Sequence, residues 1–413
     1  MTVRTQPTIA EFRARLPGED DYALIEAHRP LRLARDRFGI VFSFSHADFV
    51  TLMDPAVTRQ LETETMRMKG VTSGPVWDLF ANSMLFANGA RHTARRTPLA
   101  RSFAQPLMAA LRPQIRRQAE ALIQPALDRG PVDFVAEIAG PLPARIIADI
   151  LGAPPEDVGR FTTMVYSASR ALSIASPEAF AEGSVAMGEL QDYVASLLAA
   201  RRAHPLDDLL TDYLARADDS ALSPEEIRAQ IVTLIIAGSD TTRMATAITF
   251  ARLLETRAFW ERLVANPDGL MAPITAEGLR HDPVVASIPR VALDEIEIAG
   301  QTLPAGTVFG VSLIGAMRDP AVFAEPARFD IDRQDHPRWH PAFGHGSHRC
   351  LGEALARAEI EETLAALARL APGAGLSGPM PSLKGVGATR GIDPVTVTLS
   401  RNTSQAGVME GWH

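Results

Sequence analysis

Hydrophobic residues recur along this chain with more than one period, and each period predicts a different kind of element. From about residue 104 to about residue 280, alanine, leucine and charged residues alternate at helical spacing, which predicts a run of helices. The segment "GIVFSF", Gly39 to Phe44, is apolar, β-branched and aromatic, and predicts a strand. From about 284 to 345 prolines, glycines and β-branched residues dominate, as short strands joined by turns require. A helical pattern returns from about Leu351 to Leu370, and "PVTVTLS" near the end is strand-like again. No internal repeat or low-complexity tract interrupts the text. The pattern predicts one domain over 1–413, mainly α. Its small β-rich portion comes from roughly 35–60, 284–315 and 380–400, and its helical lobe from roughly 85–280 and 351–371.

Two stretches sharpen this picture. "SPEE" is the clearest helix start: Ser223 can cap, Pro224 suits the first helical position, and Glu226 completes a capping box. Nothing breaks that helix before about Leu254, so it runs for roughly 30 residues, or about 45 Å. The second stretch, Ile298 to Met317, carries no charge and approaches the roughly 20 apolar residues of a membrane span. Pro304 and the glycines at 300, 306, 310 and 315 argue against a spanning helix. Short buried strands and turns are expected there, with "PAGTVF" as the turn into a strand.

Composition changes little. The 413 residues are 46% hydrophobic and 22% charged, as in an ordinary globular chain long enough for a large core. The count of 41 basic against 49 acidic residues gives −8, which points away from nucleic acid and anionic membranes as partners. The first residues, "MTVRTQPTIAEFRARLPGED", hold no apolar stretch suited to secretion. One cysteine cannot form an internal disulfide, so a reducing, cytoplasmic location is expected.

That cysteine, Cys350, closes the stretch "FGHGSHRC". Four readings are open. A lone cysteine is commonly a small buried hydrophobe. His345, His348 and Cys350 also have the spacing of zinc ligands, with His340 nearby, although no second cysteine completes the usual pair. A cysteine nucleophile with His345 or His348 as base would need an oxyanion site that the sequence does not identify. The fourth reading uses every odd feature. Gly344 and Gly346 let the backbone approach a flat ligand, and a helix beginning just after Cys350 stabilises a thiolate. Such a thiolate can be the axial ligand of haem iron.

The long helix has its own oddity in "IIAGSDTTRMA". A glycine inside a helix costs about 1 kcal/mol against alanine, so Ala237-Gly238 reads as room made for something. Thr241 can bond the carbonyl of Ala237, four residues back, and is expected to open the helix locally. Asp240 is an acid in an apolar run; read alone, the segment is equally a buried helix with a polar stripe. Glu277 and Arg280 sit i and i+3 and in isolation read as a solvated surface pair; His92 and Arg96 sit i and i+4 and in isolation read as a solvated basic face.

Together these motifs carry a resemblance. "FGHGSHRCLGEALARAE", Phe343 to Glu359, meets every fixed position of F-G-x-G-x-H-x-C-x-G, Gly352 included, and is similar to the haem-binding loop of the cytochrome P450 family. The resemblance extends over most of the chain and is weakest before residue 85. It implies the family's triangular, mainly α prism with a small β lobe, and haem b as cofactor. Cys350 would then be the iron ligand, Phe343 would pack beside the sulfur, and His348, His92, Arg96 and Arg290 would meet the propionates. Pro98, a departure from the family, is expected to kink or end its helix. "AGSDTT" resembles the oxygen-activation motif. By that match Ala237 and Gly238 border the haem, Thr241 hydrogen-bonds dioxygen, and Asp240 feeds protons. Glu277 and Arg280 resemble the structural E-x-x-R pair, with Arg328 as third member and Gly278 a departure.

The implied reaction inserts one atom of O2 into a small hydrophobic organic substrate. Electrons would come from NAD(P)H through a separate ferredoxin or flavodoxin and its reductase, with the chain itself a monomer. A peroxide-using haem-thiolate enzyme and a non-catalytic haem sensor are the alternatives. By family topology Phe80, Met84, Leu85, Phe86, Thr233, Ile236, Ala237, Val285 and Ala286 line the substrate pocket. Arg91, Arg95, Arg96, Arg101 and Arg349 would border the surface that receives the electron donor.

Overall fold

The structure, a computed structural model, describes residues 9–103, 108, 110–173, 177–338 and 340–402. The chain divides into two compact units, one of Met1–Leu61, Ala276–Cys350 and Ser382–Asp393, the other of Glu62–Thr275, Leu351–Pro381 and Pro394–His413.

The first unit holds, among the described residues, a six-stranded sheet in the order Ala10–Glu11, Leu33–Arg35, Val41–Ser43, Val308–Ser312, Ser287–Ala292, Thr58–Gln60. Val41–Ser43, the strand expected in "GIVFSF", pairs parallel with Val308–Ser312, Val41 opposite Phe309. This pairing is why the β-rich portion needs both early and late sequence. Gly310 is required at the crossing: a Cβ there would lie 2.6 Å from the Phe42 ring. Phe49, Leu52, Phe309 and Val311 bury themselves in one apolar cluster of this unit, and Phe42, Phe44 and Ile314 in another. The charge-free stretch differs from expectation at its end. Ile296–Ile298 and Gln301–Leu303 form a hairpin, but Leu313–Met317 is a short helix. Ser312 starts it by accepting a hydrogen bond from the Gly315 amide, a cap that overrides the β-like composition.

The second unit is helical. Its principal helices are α1 (Pro75–Asn82), α2 (Gly89–Ser102), α3 (Val158–Ser173), α4 (Pro177–Ala203), α5 (Pro224–Glu255) and α6 (Glu353–Leu370). α5 is the axis, and α1, α3, α4 and α6 all pack against it. Both halves of the expected capping box form: the Ser223 hydroxyl accepts from the Glu226 amide at 3.2 Å, and the Glu226 carboxylate accepts from the Ser223 amide at 3.0 Å. α5 is buried on nearly every side, as a helix with apolar residues all round must be. Pro98 neither ends nor breaks α2. Proline deprives only the carbonyl four residues back, and Ala94 lies on the exposed face, where water serves it. Among the described residues no helix is long and apolar enough to cross a membrane.

Candidate active site

In the first unit, the loop before Cys350 is folded back on itself. Pro341–Phe343 and Gly346–His348 are single 3₁₀ turns, separated by Gly344 at φ 73°. Gly346 stands at φ 67°, where a Cβ would come 3.1 Å from the Met53 carbonyl oxygen. Both positions need glycine for the left-handed backbone. The Cys350 amide donates to the Phe343 carbonyl at 2.8 Å, and the Arg349 guanidinium donates to the Gly344 carbonyl at 3.0 Å. Phe343 is buried, His348 is half-buried and Cys350 is exposed. The thiol is therefore no core hydrophobe. Among the described residues no three His, Cys, Asp or Glu side chains converge as metal ligands, so His345, His348 and Cys350 do not form a zinc site. Gly352 follows as the N-cap of α6.

Arg290 lies in the strand Ser287–Ala292 of the same unit, buried. Its Nε donates to Thr58 Oγ1 at 2.8 Å and its Nη2 to the Thr58 carbonyl at 2.7 Å. Its Nη1 is buried with no hydrogen-bond partner. Burial pushes this guanidinium down to about 10. A buried cation with a spare N–H and no carboxylate at hand is a fit for an acidic ligand group such as a haem propionate.

The second unit places two more of the expected basic residues on α2. His92 is buried, and burial together with the charge of Arg96 pushes its imidazole down to about 4. A buried imidazole beside a guanidinium is a setting that an anion would stabilise. Arg95 is a correction. It does not border an exposed surface but is buried, bonding Glu226 through Nε at 3.0 Å and Nη2 at 2.8 Å. Glu226 of α5 draws Arg95 inward, whereas Arg91, with Nε 3.6 Å from the same carboxylate, and Arg101 stay exposed and Arg96 half-exposed.

On α5, the Thr241 hydroxyl donates to the Ala237 carbonyl at 2.9 Å, as the sequence suggested. The helix does not open there; it stays α-helical throughout, so the hydroxyl shares the carbonyl with the backbone. Ala237 is exposed although Ile231 through Ile236 are buried, so α5 has a bare edge at this turn. Gly238 faces Ile147, whose Cδ1 would be 3.4 Å from an added Cβ, so the glycine serves close helix packing on that side. Asp240 is not alone. Arg243 donates from Nε and Nη2 to its Oδ1, at 2.8 and 2.6 Å. The Arg243 guanidinium stacks 4.7 Å over the ring of Tyr166 of α3, whose hydroxyl donates to the Gly140 carbonyl at 2.6 Å. The Asp–Arg spacing was visible in "SDTTR"; Tyr166, far away in sequence, left no signal.

The E-x-x-R pair is no surface contact. Glu277 and Arg280 are both fully buried and bond as a two-pronged pair, Nε to Oε2 at 2.7 Å and Nη2 to Oε1 at 2.8 Å. Arg328 is a correction: its side chain is 58% exposed and pairs with Glu325, and only its carbonyl reaches Arg280. Arg333 takes the third place, 4% exposed, with Nε 3.2 Å from Glu277 Oε2.

The expected pocket residues belong to both units. In the second unit Phe80 and Phe86 stack at 3.7 Å, Met84, Thr233 and Ile236 are buried, and Leu85 is exposed. In the first unit Val285 is half-buried, but Ala286 packs into the core with Phe42, Phe44 and Ile314 and is a core residue, not a pocket wall.

Comparison with known proteins agrees with these features. A family model described as cytochrome P450 matches residues 185–369. The chain is 40% identical over 391 residues to a plant-inducible cytochrome P450 of Rhizobium radiobacter, covering 94% of this chain and 92% of that one. It is 32% identical over 309 residues to luteothin monooxygenase of Streptomyces thioluteus, 74% of this chain and 75% of that one. Among solved structures it is similar to a cytochrome P450 for C–S bond formation in chuangxinmycin biosynthesis. That likeness has TM-score 0.83 and 28% identity, over 96% of this chain and 98% of that one. It is also similar to a myxobacterial cytochrome P450 in complex with myristic acid, with TM-score 0.82 and 31% identity, over 92% and 96%.

Proposed function

The chain belongs to the cytochrome P450 family, has its fold and is a haem b monooxygenase, and from that premise we propose how its own residues are used. Cys350 ligates the iron as thiolate. The observation that carries this reading is the loop itself: the chain's one cysteine, exposed, at the end of a backbone turn closed by the bond from its amide to Phe343. Arg290, His348, His92 and Arg96 hold the propionates; the spare Nη1 of Arg290 and the depressed His92 support this. By the same resemblance Phe343 would pack beside the sulfur, and Gly352, Ala237 and Gly238 would border the haem.

The haem supplies the reductive activation of O2, so that one oxygen atom enters the substrate and the other leaves as water. The chain's part is to deliver protons and exclude bulk water. Thr241 offers a hydroxyl at the bare edge of α5 and holds a water there. Asp240, partly exposed and anchored at one oxygen by Arg243, passes protons in from solvent. The substrate is a compact hydrophobic molecule, because Phe80, Met84, Phe86 and Ile236 are apolar. Electrons come from NAD(P)H through a separate ferredoxin and reductase, and the protein works in the cytoplasm as a monomer.

The test is turnover with a surrogate ferredoxin and reductase. Substrate-dependent NAD(P)H oxidation with product is expected. Product formed only with added peroxide would assign it to peroxide-using enzymes, and binding without turnover would assign it to sensors.

A further inference from the structure

The connection between α1 and α2 is tied down by side chains from two helices. Like every helix C-terminus, the end of α1 leaves carbonyls without helical partners. Here they do not turn to water. Arg95 of α2 donates from Nη2 to the Ala81 carbonyl at 2.9 Å and from Nη1 to the Ser83 carbonyl at 3.0 Å. Gln230 of α5 donates from Nε2 to the Asn82 carbonyl at 2.9 Å, and its Oε1 accepts from the Met84 amide at 2.7 Å. Three successive carbonyls and the next amide therefore all end on buried side chains. Gln230 is 0% exposed, Arg95 1% and Ser83 0%. The amide of Gln230 has one orientation that satisfies both contacts, because a carbonyl needs its NH2 and the Met84 N–H needs its oxygen.

The two anchors are joined to each other. Arg95 bonds the Glu226 carboxylate, and Gln230 Nε2 also donates to the Glu226 carbonyl at 2.6 Å. Glu226 is at the same time the capping-box residue of α5, so the clamp is built into the start of that helix. Gln230, Thr233, Ala237 and Thr241 follow one another at spacings of three and four, which puts them on one face of α5. The clamped segment carries Phe80 before it and Met84 and Phe86 in it, with the Phe80 and Phe86 rings stacked.

We propose that Arg95 and Gln230 are positioning residues that fix the Phe80–Phe86 wall of the substrate site against α5, and so set the size of ligand the enzyme accepts. This rests on the reading that these aromatic and apolar side chains face the haem pocket. A simple helix cap would predict something else: loss of stability without any change in selectivity.

The test uses the haem-loaded enzyme with Gln230→Leu, which leaves the Met84 amide and Asn82 carbonyl unmatched. Amide hydrogen exchange over residues 82–87 is followed. Binding of two azoles of different size, 4-phenylimidazole and econazole, is titrated by the haem absorption shift. Exchange in that segment should quicken by at least about tenfold, as a local opening requires. The ratio of the two dissociation constants should move at least about fivefold toward the bulkier azole, a difference of roughly 1 kcal/mol. Unchanged exchange, or faster exchange with an unchanged ratio, overturns the proposal. If Gln230→Leu does not take up haem, Arg95→Lys serves: it keeps the charge beside Glu226 but cannot fork to two carbonyls. If the parent enzyme gives no azole shift, the pocket reading fails and the size limit falls with it. Unchanged exchange beside a normal azole shift overturns the clamp alone.

Discussion

Thr241 has a hydroxyl that the helix around it does not need, since the carbonyl it bonds belongs to an unbroken α-helix. The use proposed for it is chemical. Thr241→Ala is expected to keep haem and ligand binding while product per NAD(P)H falls at least about tenfold and hydrogen peroxide appears instead, less than the roughly hundredfold or more that losing a proton-transfer group outright costs, because Asp240 remains. An unchanged ratio would remove Thr241 from the mechanism. Glu359 of α6 is the opposite case, a carboxyl that was not singled out in the sequence. It is buried, its Oε2 has no hydrogen-bond partner, and burial raises it well above the ordinary carboxyl range. The folded protein thus keeps a proton that the unfolded chain releases as pH rises, so stability is lost above the unfolded value. Glu359→Gln should match the parent near pH 4, below the unfolded value, and exceed it at pH 8 in melting temperature, each kcal/mol counting for about 1 °C in a chain of this size. A constant gap between the two pH values would contradict the assignment. Residues of this kind mark the limit of sequence reading. Cys350, Asp240 and Thr241 stood out because each sits in a short local motif. Tyr166, Gln230 and Glu359 did not, because what they touch is fixed only by packing between helices.

At the level of elements, local signals held where the chain itself supplies the stop or start. The Ser223–Glu226 capping box announced α5, and the β-branched and aromatic content of "GIVFSF" announced its strand. Composition misled where one hydrogen bond decides, as at Ser312, which begins a helix in β-rich text, and at Pro98, whose missing donor falls on a solvated carbonyl. The Glu277–Arg280 motif was also legible, but not its third arginine. Arg328 lies nearer in sequence, yet it turns outward to Glu325 while Arg333 reaches Glu277. The two arginines should differ sharply on truncation. Arg333→Ala leaves part of a buried charge cluster unmatched and should cost about 3 kcal/mol or more. Arg328→Ala loses only an exposed pair and should stay within about 0.5 kcal/mol. Denaturant midpoints read both, and equal losses would return Arg328 to the network.

For the whole molecule, the net charge of −8 makes local basic groups conspicuous to an acidic electron donor. With Arg95 buried, that role passes to exposed Arg91 and Arg101. Arg101→Glu should slow reduction by ferredoxin, most at low salt, and leave the haem spectrum intact; a rate indifferent to both charge and salt would place the donor elsewhere. Everything said of reaction, donor and pocket depends on one bond, between the Cys350 sulfur and haem iron. Purified enzyme reduced under carbon monoxide tests it directly. The account predicts the strongly red-shifted Soret band of thiolate ligation, lost in Cys350→Ala with folding retained. A haem-loaded protein with a histidine-type band, or a red-shifted band that survives the substitution, would contradict it.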